Sequence, residues 1–306
     1  MERRRSIDLG GLVDLLLVKP AVWKSKRRKA VVTALTDRGA RVLLGETEED
    51  LREEVSQSLK HGSEVRVISC GGDGTVHRAL NSVQGLDVSL AVIPLGTGND
   101  FARYLGLRSS ASGLQAINDN FQETIDVGRV ILADGVTRFF AGVASCGFDA
   151  QVNERANHLK GPEGTAKYLV SVFGELRALA ARHWNLTLDE VNAQGQYTLV
   201  AVGNTSSYGG GMMICPAASF NDGVFDVTVV SDVNRRTLVR VLPRVFNGSH
   251  VRHSKVSTHR SKTVLLEGAS FPVYADGERL GEGPVAIDLL PNAIRVVRPR
   301  RNLATP

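Results

Sequence analysis

A glycine-rich turn carries the residues best suited to chemistry. Gly71-Gly72-Asp73-Gly74-Thr75 follows an apolar run and precedes a helix-like segment, residues 76–81, which predicts a strand, a turn and a helix start. Glycines allow positive φ and leave no Cβ to block a ligand, and amides at a helix start favour phosphate. Asp73 repels phosphate unless a cation lies between them, so a Mg²⁺-nucleotide is the simplest ligand. A tight turn with an Asx bond at Asp73 fits these five residues equally well.

A second turn of the same kind favours the ligand hypothesis. The apolar run 89–93 is followed by residues 94–103, which again contain glycines, small polar residues and an aspartate, Asp100. Neighbouring parallel strands end at one edge of a sheet, where open α/β sheets bind ligands. Chance produces one such turn easily, whereas two on successive strands are much less expected.

These two turns resemble the catalytic domain of the diacylglycerol kinase family, especially its bacterial soluble lipid kinases. Sphingosine and ceramide kinases are relatives of this family, and NAD kinases are more distant ones. The resemblance spans nearly the whole chain in the family's order. The further matching segments are 146–150, Asn204, 208–212, 216–218, 221–227 and 276–278. The resemblance implies transfer of the γ-phosphoryl group of ATP, with Mg²⁺, to a hydroxyl of a diacylglycerol-like lipid.

The resemblance also implies a set of nucleotide-binding residues. They are Thr47, Gly71, Gly72, Asp73, Gly74, Thr75, Val76, His77, Arg78, Gly96, Thr97, Gly98 and Asn99. Thr47 is equally placed to cap the next helix, because Asp50 stands three residues on. The family usually has Asn-Glu where this chain has His77 and Arg78, and it differs again at residues 19–23. These departures put the familiar details of ATP contact in doubt.

Carboxylates carry the chemistry that the resemblance implies. Glu278 corresponds to the proton acceptor for the lipid hydroxyl, with Asp276 in support. Without the resemblance, Asp276-Gly277 between strand-like runs reads as a hairpin turn. Asp73, Asp100 and Asp126 correspond to the acidic cluster around Mg²⁺, although Asp126 also suits a turn between domains.

A second, structural Mg²⁺ is implied by the loop at residues 219–224. The corresponding ligands are the Asp222 carboxylate and groups of Ser219 and Val224. An unliganded turn fits this loop nearly as well, because carbonyl ligands leave no trace in a sequence. Gly142 is a further departure, since relatives often carry an asparagine in that strand.

The elements that must position these residues form two predicted domains. Alternating strands and helices predict an α/β nucleotide-binding domain over residues 1–128. Short alternating runs predict a β-rich domain, an antiparallel β-sandwich, over residues 129–290, and the resemblance implies that this domain binds the acceptor lipid. By resemblance the tail, 291–306, returns to the first domain, and the site lies between the two. The predicted strands are 13–18, 41–44, 65–70, 89–93, 130–132, 138–143, 186–188, 197–202, 225–230, 262–266 and 293–297, and the predicted helices include 25–36, 47–59 and 165–183.

Composition indicates which ligands the protein favours and in which compartment we expect it. The chain has 306 residues, a formal net charge of +5 and a pI near 9.2, which favours phosphorylated ligands or an anionic lipid surface. Nothing in it is typical of nucleic-acid binding. Three dispersed cysteines without metal or disulfide spacing indicate the cytoplasm. No segment approaches the length of a transmembrane helix. Because the resemblance implies a lipid substrate, we expect peripheral membrane contact. Whether the chain forms a homodimer stays open.

Two rival functions remain at this stage. An NAD kinase would share the first glycine turn, although residues 94–103 and 209–212 argue against it. A non-catalytic regulator that binds nucleotide or lipid is compatible with the altered positions 19–23 and 77–78. The basic segment 250–262 predicts an edge strand or, alternatively, a face that docks on a membrane.

Overall fold

The computed structural model describes residues 11–44, 47–158, 170–171, 174–176 and 179–300. Backbone contacts divide these residues into two compact units. Unit 1 holds the described residues up to Gly96, the segment Leu105–Thr124 and the residues from Ala293 onward. Unit 2 holds Thr97–Tyr104 and the described part of Ile125–Asn292. The domain boundary predicted at residue 128 stays a prediction, because backbone contacts do not test independent folding.

The strands alternate with helices in unit 1 and follow one another closely in unit 2. In chain order they are β1 (Leu12–Val18), β2 (Arg41–Leu44), β3 (Glu64–Gly71), β4 (Val88–Pro94), β5 (Gln122–Leu132), β6 (Thr137–Phe140), β7 (Val143–Gly147), β8 (Arg182–Leu188), β9 (Val191–Gly203), β10 (Phe225–Ser231), β11 (Val256–Ser261), β12 (Thr263–Gly268), β13 (Pro272–Ala275), β14 (Glu278–Glu282) and β15 (Val285–Val297).

Most of the described helices lie in the first half of the chain. They are α1 (Pro20–Trp23), α2 (Lys26–Thr36), α3 (Glu48–Lys60), α4 (Asp73–Val83), α5 (Asp100–Tyr104), α6 (Ser110–Asp119), α7 (Phe148–His158) and α8 (Arg235–Val241). Two 3₁₀ helices, Leu242–Asn247 and Ser249–Arg252, follow α8. No helix in these described ranges is long and apolar enough to cross a membrane.

Unit 1 is built on a parallel sheet in the order β2-β1-β3-β4. Every residue of β3 after Glu64 is buried, as expected for a parallel strand covered on both faces. The last residues of β15 continue this sheet, with Arg295 opposite Ser89 in a parallel pair. The register places Gly71 opposite Pro94, so β3 and β4 end together.

Unit 2 is antiparallel, with strands in the order β14-β13-β7-β9-β8-β12-β15. Strand β10 pairs with both β9 and β11, and β5 pairs with β6. Aromatic rings fill its core: Phe140 and Phe225 are stacked with centroids 5.8 Å apart, and Trp184 and Phe271 are 4.8 Å apart. A parallel α/β part and an antiparallel β part confirm the predicted fold class.

Two details of the predicted elements are wrong. Within the predicted helix over 165–183, nine residues lie outside the described ones, and residues 170, 171, 174 and 175 are helical as predicted. Its predicted end is wrong, because Arg182 and His183 belong to β8. The predicted strand over 138–143 is two strands, because β6 ends at Phe140 and β7 begins at Val143. In the first glycine turn, the freedom to adopt positive φ is not used, since none of Gly71, Gly72 and Gly74 has positive φ.

Candidate active site

The first glycine turn joins a buried strand to a helix, as predicted. Strand β3 ends at Gly71, Gly72 is the N-cap of α4, and Asp73 is the first helical residue. No side chain caps this helix start. The Thr75 side chain is fully buried, and its Oγ1 has no hydrogen-bond partner among the described residues. An unpartnered hydroxyl beside an uncapped helix start fits a polar ligand such as phosphate.

Close packing explains why the strand ends in glycine. A Cβ at Gly71 would lie 2.1 Å from Thr75 Oγ1 and 2.7 Å from Thr75 Cβ. Such contacts do not occur between real atoms, so the backbone at Gly71 can pass the helix start only without a side chain. The glycine serves this close approach rather than a left-handed backbone conformation.

The first residues of the second turn lie directly against the first turn within unit 1. The Gly71 carbonyl oxygen accepts hydrogen bonds from the backbone N–H groups of Leu95 at 2.8 Å and Gly96 at 3.2 Å. The prediction that two strand ends meet at one edge of the sheet is therefore confirmed. Among the other predicted nucleotide residues of unit 1, Val76 and His77 are buried in α4 and Arg78 is half-buried.

Thr47 acts as a helix cap. Its Oγ1 accepts a hydrogen bond from Asp50 N at 3.1 Å, and Asp50 Oδ2 accepts one from Thr47 N at 2.9 Å. This reciprocal pair is a capping box at the start of α3. The structure therefore confirms the capping alternative, and contact with a nucleotide stays a prediction.

In unit 2, Asp100 holds a run of glycines. Its carboxylate accepts hydrogen bonds from Gly210 N at 2.7 Å, Gly211 N at 2.8 Å and Arg103 Nη1 at 2.8 Å. Gly210 and Gly211 have φ of 86° and 101°, a left-handed conformation that favours glycine. Asn99, just before Asp100, has φ of 53°. Thr97 is exposed and Gly98 is half-buried, and the Gly98 carbonyl accepts a hydrogen bond from Arg103 Nη2.

Asp126 is almost fully buried and holds two backbone segments. Its Oδ2 accepts from Gly223 N at 2.9 Å, and its Oδ1 accepts from Asn292 N at 2.8 Å. Its backbone N–H donates to Phe220 O at 2.6 Å. Both carboxylate oxygens are thus occupied by amides, and each retains a lone pair that could face a cation.

Asn204 connects Asp126 with the Asp276 hairpin and was not among the predicted site residues. Its Nδ2 donates to Asp126 O at 2.9 Å and to Ala141 O at 2.8 Å, while the Ala141 N–H donates to Asp276 Oδ2 at 3.0 Å. Asn204 is fully buried, and its Oδ1 has no partner among the described residues. The signal that could have found it is its place among the segments that match the family, directly after the apolar end of β9.

Asp276 shapes the hairpin that carries Glu278. Asp276 and Gly277 have φ of 53° and 82° between β13 and β14, so the predicted Asp-Gly hairpin is confirmed. Asp276 Oδ1 accepts from Gly142 N at 2.8 Å, and a Cβ at Gly142 would lie 2.6 Å from that oxygen. The carboxylate therefore occupies the space that an asparagine at position 142 would need.

Glu278 is the first residue of β14 and its side chain is exposed. Its backbone pairs with Ala275 of β13, but its side chain takes part in no hydrogen bond or ion pair among the described residues. An exposed carboxylate without hydrogen-bond partners is suited to accept a proton. The carboxylates of Asp100, Asp126 and Asp276 are instead hydrogen-bonded to backbone amides.

The loop predicted to hold a second metal is tied by polar side chains. The exposed Asp222 carboxylate pairs with Arg260 on β11, and Ser219 Oγ donates to Asn221 Oδ1 at 2.9 Å. Burial raises the pKa of the neighbouring Asp226 carboxyl, Arg260 lowers it, and Asp222 adds a smaller upward effect. A cation at Asp222 would compete with the Arg260 guanidinium for the carboxylate. Val224 is half-buried in this loop. Across the described ranges, no three His, Cys, Asp or Glu side chains converge as metal ligands.

The fold and these turns define a class of protein. The family described as the diacylglycerol kinase catalytic domain matches residues 21–130, and the YegS C-terminal NAD kinase beta sandwich-like domain matches residues 142–298. Among solved structures, one described as a diacylglycerol kinase from Bacillus anthracis str. Sterne has a TM-score of 0.68 at 19% identity, covering 94% of this chain and 97% of that one. An NAD kinase from Archaeoglobus fulgidus in complex with ATP has a TM-score of 0.51 at 12% identity, covering 95% and 96%. These likenesses concern the fold.

Sequence relatives narrow the class to one family. A protein of Mycobacterium tuberculosis (strain CDC 1551 / Oshkosh) named "Diacylglycerol kinase" is 38% identical over 280 residues, which cover 90% of each chain. A protein of Pseudomonas aeruginosa strain PAO1 named "Probable lipid kinase YegS-like" is 30% identical over 278 residues, 89% of each chain. The chain therefore belongs to the diacylglycerol kinase family, of the bacterial lipid kinase type, as the sequence motifs predict.

Proposed function

We propose that the chain transfers the γ-phosphoryl group of ATP, with Mg²⁺, to a hydroxyl of a diacylglycerol-like lipid. The observation that carries the proposal is the junction of the two strand ends at Gly71, where an uncapped helix start and the unpartnered hydroxyl of Thr75 offer donors to phosphate. Family membership supports kinase chemistry, and the names of the relatives support a lipid acceptor.

The first turn supplies the phosphate contacts in this proposal. Residues 71–78 and 96–99 hold the nucleotide, with Thr47 at its edge. Asp73, Asp100 and Asp126 would organise Mg²⁺ and its waters, although no three such side chains of the described residues converge as direct ligands. Ser219, Asp222 and Val224 would hold a second ion in competition with Arg260. Bound Mg²⁺ would neutralise charge on the phosphates.

Glu278 is the proposed proton acceptor. The lipid hydroxyl oxygen forms a bond to the γ-phosphorus, the bond from that phosphorus to the β–γ bridging oxygen breaks, and ADP leaves. The hydroxyl proton passes to the Glu278 carboxylate, directly or through one water. Asp276 positions this step by fixing the hairpin through the amides of Ala141 and Gly142.

The proposed lipid substrate determines the cellular location that we propose for the reaction. A diacylglycerol-like substrate resides in a membrane, so we place the enzyme in the cytoplasm with peripheral contact to the bilayer. Its three cysteines are free and buried, in keeping with a reducing compartment.

Transfer of labelled phosphate from ATP tests the proposal. Diacylglycerol in mixed micelles should yield labelled phosphatidic acid, whereas NAD should yield no product. Labelled NADP would instead favour an NAD kinase, and nucleotide binding without any product would indicate a regulator.

The variant Glu278→Gln tests the proton acceptor. We expect turnover to fall by on the order of 10²–10⁴-fold with unchanged nucleotide binding, because the amide cannot take the proton. Glu190→Gln is the matched control, since Glu190 is also exposed and also follows a left-handed aspartate in a hairpin of unit 2. Wild-type turnover in Glu278→Gln would remove Glu278 from the mechanism.

A further inference from the structure

A two-residue bend in unit 2 lies beside the hairpin that carries Glu278. The bend consists of Ala141 and Gly142, which are both buried. Neither residue belongs to a strand, because β6 ends at Phe140 and β7 begins at Val143. Buried backbone groups outside a strand need hydrogen-bond partners from elsewhere in the molecule. The partners of this bend therefore show which segments it joins.

Two side chains enclose the bend from opposite sides of its backbone. The Asp276 carboxylate accepts from the Ala141 N–H at 3.0 Å and from the Gly142 N–H at 2.8 Å. Asn204 donates to the carbonyl groups: its backbone N–H bonds to Gly142 O at 2.9 Å, and its Nδ2 bonds to Ala141 O at 2.8 Å. All four backbone polar groups of the bend are thus hydrogen-bonded to Asp276 or to Asn204.

The Asn204 side chain also reaches a second segment of unit 2. Its Nδ2 donates to the backbone oxygen of Asp126 at 2.9 Å. Asp126 is therefore connected through Asn204 and the bend to Asp276, and Glu278 follows two residues later on the same hairpin. Beyond Ala275, the last residue of β13, the hairpin is attached to this part of unit 2 by the side chain of Asp276 and by its N–H, which donates to Val143 O at 3.1 Å.

The chemistry of position 204 requires an amide. Both partners of Nδ2 are carbonyl oxygens, which only accept, so they fix the orientation of the amide group. An aspartate could donate to neither carbonyl, and a serine hydroxyl could donate to one. Asn204 is fully buried, and its Oδ1 has no partner among the described residues. A buried acceptor without a partner lowers stability, which is expected where a residue is retained for function.

We infer that Asn204 is a positioning residue, which holds the Glu278 hairpin in a fixed place relative to Asp126. The role of Glu278 as the base rests on the proposed function, whereas the attachment of the hairpin is a property of unit 2 alone. Asn204 acts through the bend and Asp276. A displacement of about 1 Å in a catalytic group lowers the rate on the order of 10²-fold, so the loss of one buried amide should reach the chemistry.

Hydrogen–deuterium exchange tests the attachment without any activity. Asn204→Ala should speed exchange about tenfold in residues 139–143 and 274–278, because the bend loses its partners on one side. Thr228→Ala is the matched control. Thr228 is 1% exposed on β10, and its Oγ1 also donates to a carbonyl, Ile214 O, at 2.8 Å. Unchanged exchange in Asn204→Ala, or an equal increase in the control, would overturn the inference.

A double-mutant cycle tests the path to Glu278. Asn204→Ala should lower kcat by about 10–100-fold and leave the KM values for ATP and diacylglycerol unchanged, whereas Thr228→Ala should keep the wild-type kcat. Adding Asn204→Ala to Glu278→Gln should lower kcat by less than about twofold, because the base through which Asn204 acts is already absent. Losses that multiply in the double variant would show that Asn204 does not act through Glu278, which would overturn its positioning role.

A milder variant guards against misfolding. Asn204→Ser keeps one donor and should show smaller changes than Asn204→Ala in both measurements. It replaces Asn204→Ala if the latter does not fold, and wild-type exchange in Asn204→Ser would then overturn the inference. A wild type that transfers no phosphate to diacylglycerol would refute the proposed function alone, because the exchange measurement still decides whether Asn204 holds the hairpin.

Discussion

Replacing Asp126 with Asn tests whether this buried carboxylate anchors the backbone or organises Mg²⁺. Asp126 is 2% exposed, and its two oxygens accept from Gly223 N at 2.9 Å and Asn292 N at 2.8 Å. An Asn side chain keeps one acceptor and turns an NH₂ group toward the other backbone N–H. The variant should therefore lose one charge-assisted hydrogen bond, which contributes about 1.5–3 kcal/mol, and leave a buried N–H without an acceptor, which costs about 1–3 kcal/mol.

The expected loss in the free energy of unfolding is about 3–5 kcal/mol, a large part of the roughly 5–15 kcal/mol of a typical domain. Urea unfolding without added Mg²⁺ measures it. Asp134→Asn is the control, because Asp134 accepts one backbone N–H, from Val136 at 3.0 Å, in an exposed turn. We expect the control to lose less than about 1 kcal/mol.

Two results would refute this reasoning. The free energy of unfolding of Asp126→Asn could lie within about 0.5 kcal/mol of the wild type, the usual range for a surface change. The second result is the same unchanged stability together with a requirement for much more Mg²⁺ for activity. The second result would make Asp126 a metal-organising residue whose amide contacts contribute little to stability.

Two further predictions concern the glycine turn and the buried histidine. Gly71→Ala should lower the free energy of unfolding by about 1–3 kcal/mol or more, because its Cβ would lie 2.1 Å from Thr75 Oγ1. The same variant should abolish ATP binding, which calorimetry measures. Gly11→Ala is the control and should change neither quantity, since no atom lies within 4 Å of the new Cβ. Burial lowers the folded-state pKa of His250, so the unfolded chain binds a proton more readily below its pKa of about 6.5. Stability should therefore fall as the pH drops below about 6.5, by at most ~1.4 kcal/mol per pH unit for this group, until the folded-state pKa is passed. His250→Phe should remove this part of the slope in urea unfolding between pH 5 and about 7, and an unchanged slope would show that His250 does not cause it.

Local sequence was sufficient to predict the first glycine turn. A continuous apolar run before Gly71 indicates a buried parallel strand, and the residues after Thr75 have helical spacing. The structure has both elements, in β3 and α4. The spacing does not distinguish a glycine that needs positive φ from one that needs close packing, because the Thr75 side chain that decides it comes from the following helix.

Long-range partners explain the elements that were predicted wrongly. The strand predicted through residues 138–143 breaks because the N–H groups of Ala141 and Gly142 donate to Asp276, more than 130 residues away in the chain. Arg182 and His183 are strand residues because they pair with Tyr197 and Gln196 on β9. No window of local sequence contains either partner.

The same limit applies to the carboxylates of the candidate site. Asp100, Asp126 and Asp276 each accept two backbone N–H groups from distant parts of the chain, and in each case at least one of these comes from a glycine. A carboxylate at the end of a strand is equally expected for a metal ligand and for an anchor of a glycine-containing loop, so its type and spacing cannot separate the two. An ionised carboxylate has about four lone-pair directions, so two amides leave room for a cation. A carboxylate that binds both the loop amides and the ion would then fix the position of the loop relative to the ion. If Asp126 both anchors the backbone and organises Mg²⁺, the Asp126→Asn variant should lose stability without Mg²⁺ and activity with Mg²⁺. If it only anchors the backbone, the loss of stability alone is expected, and if it only organises Mg²⁺, the loss of activity alone is expected.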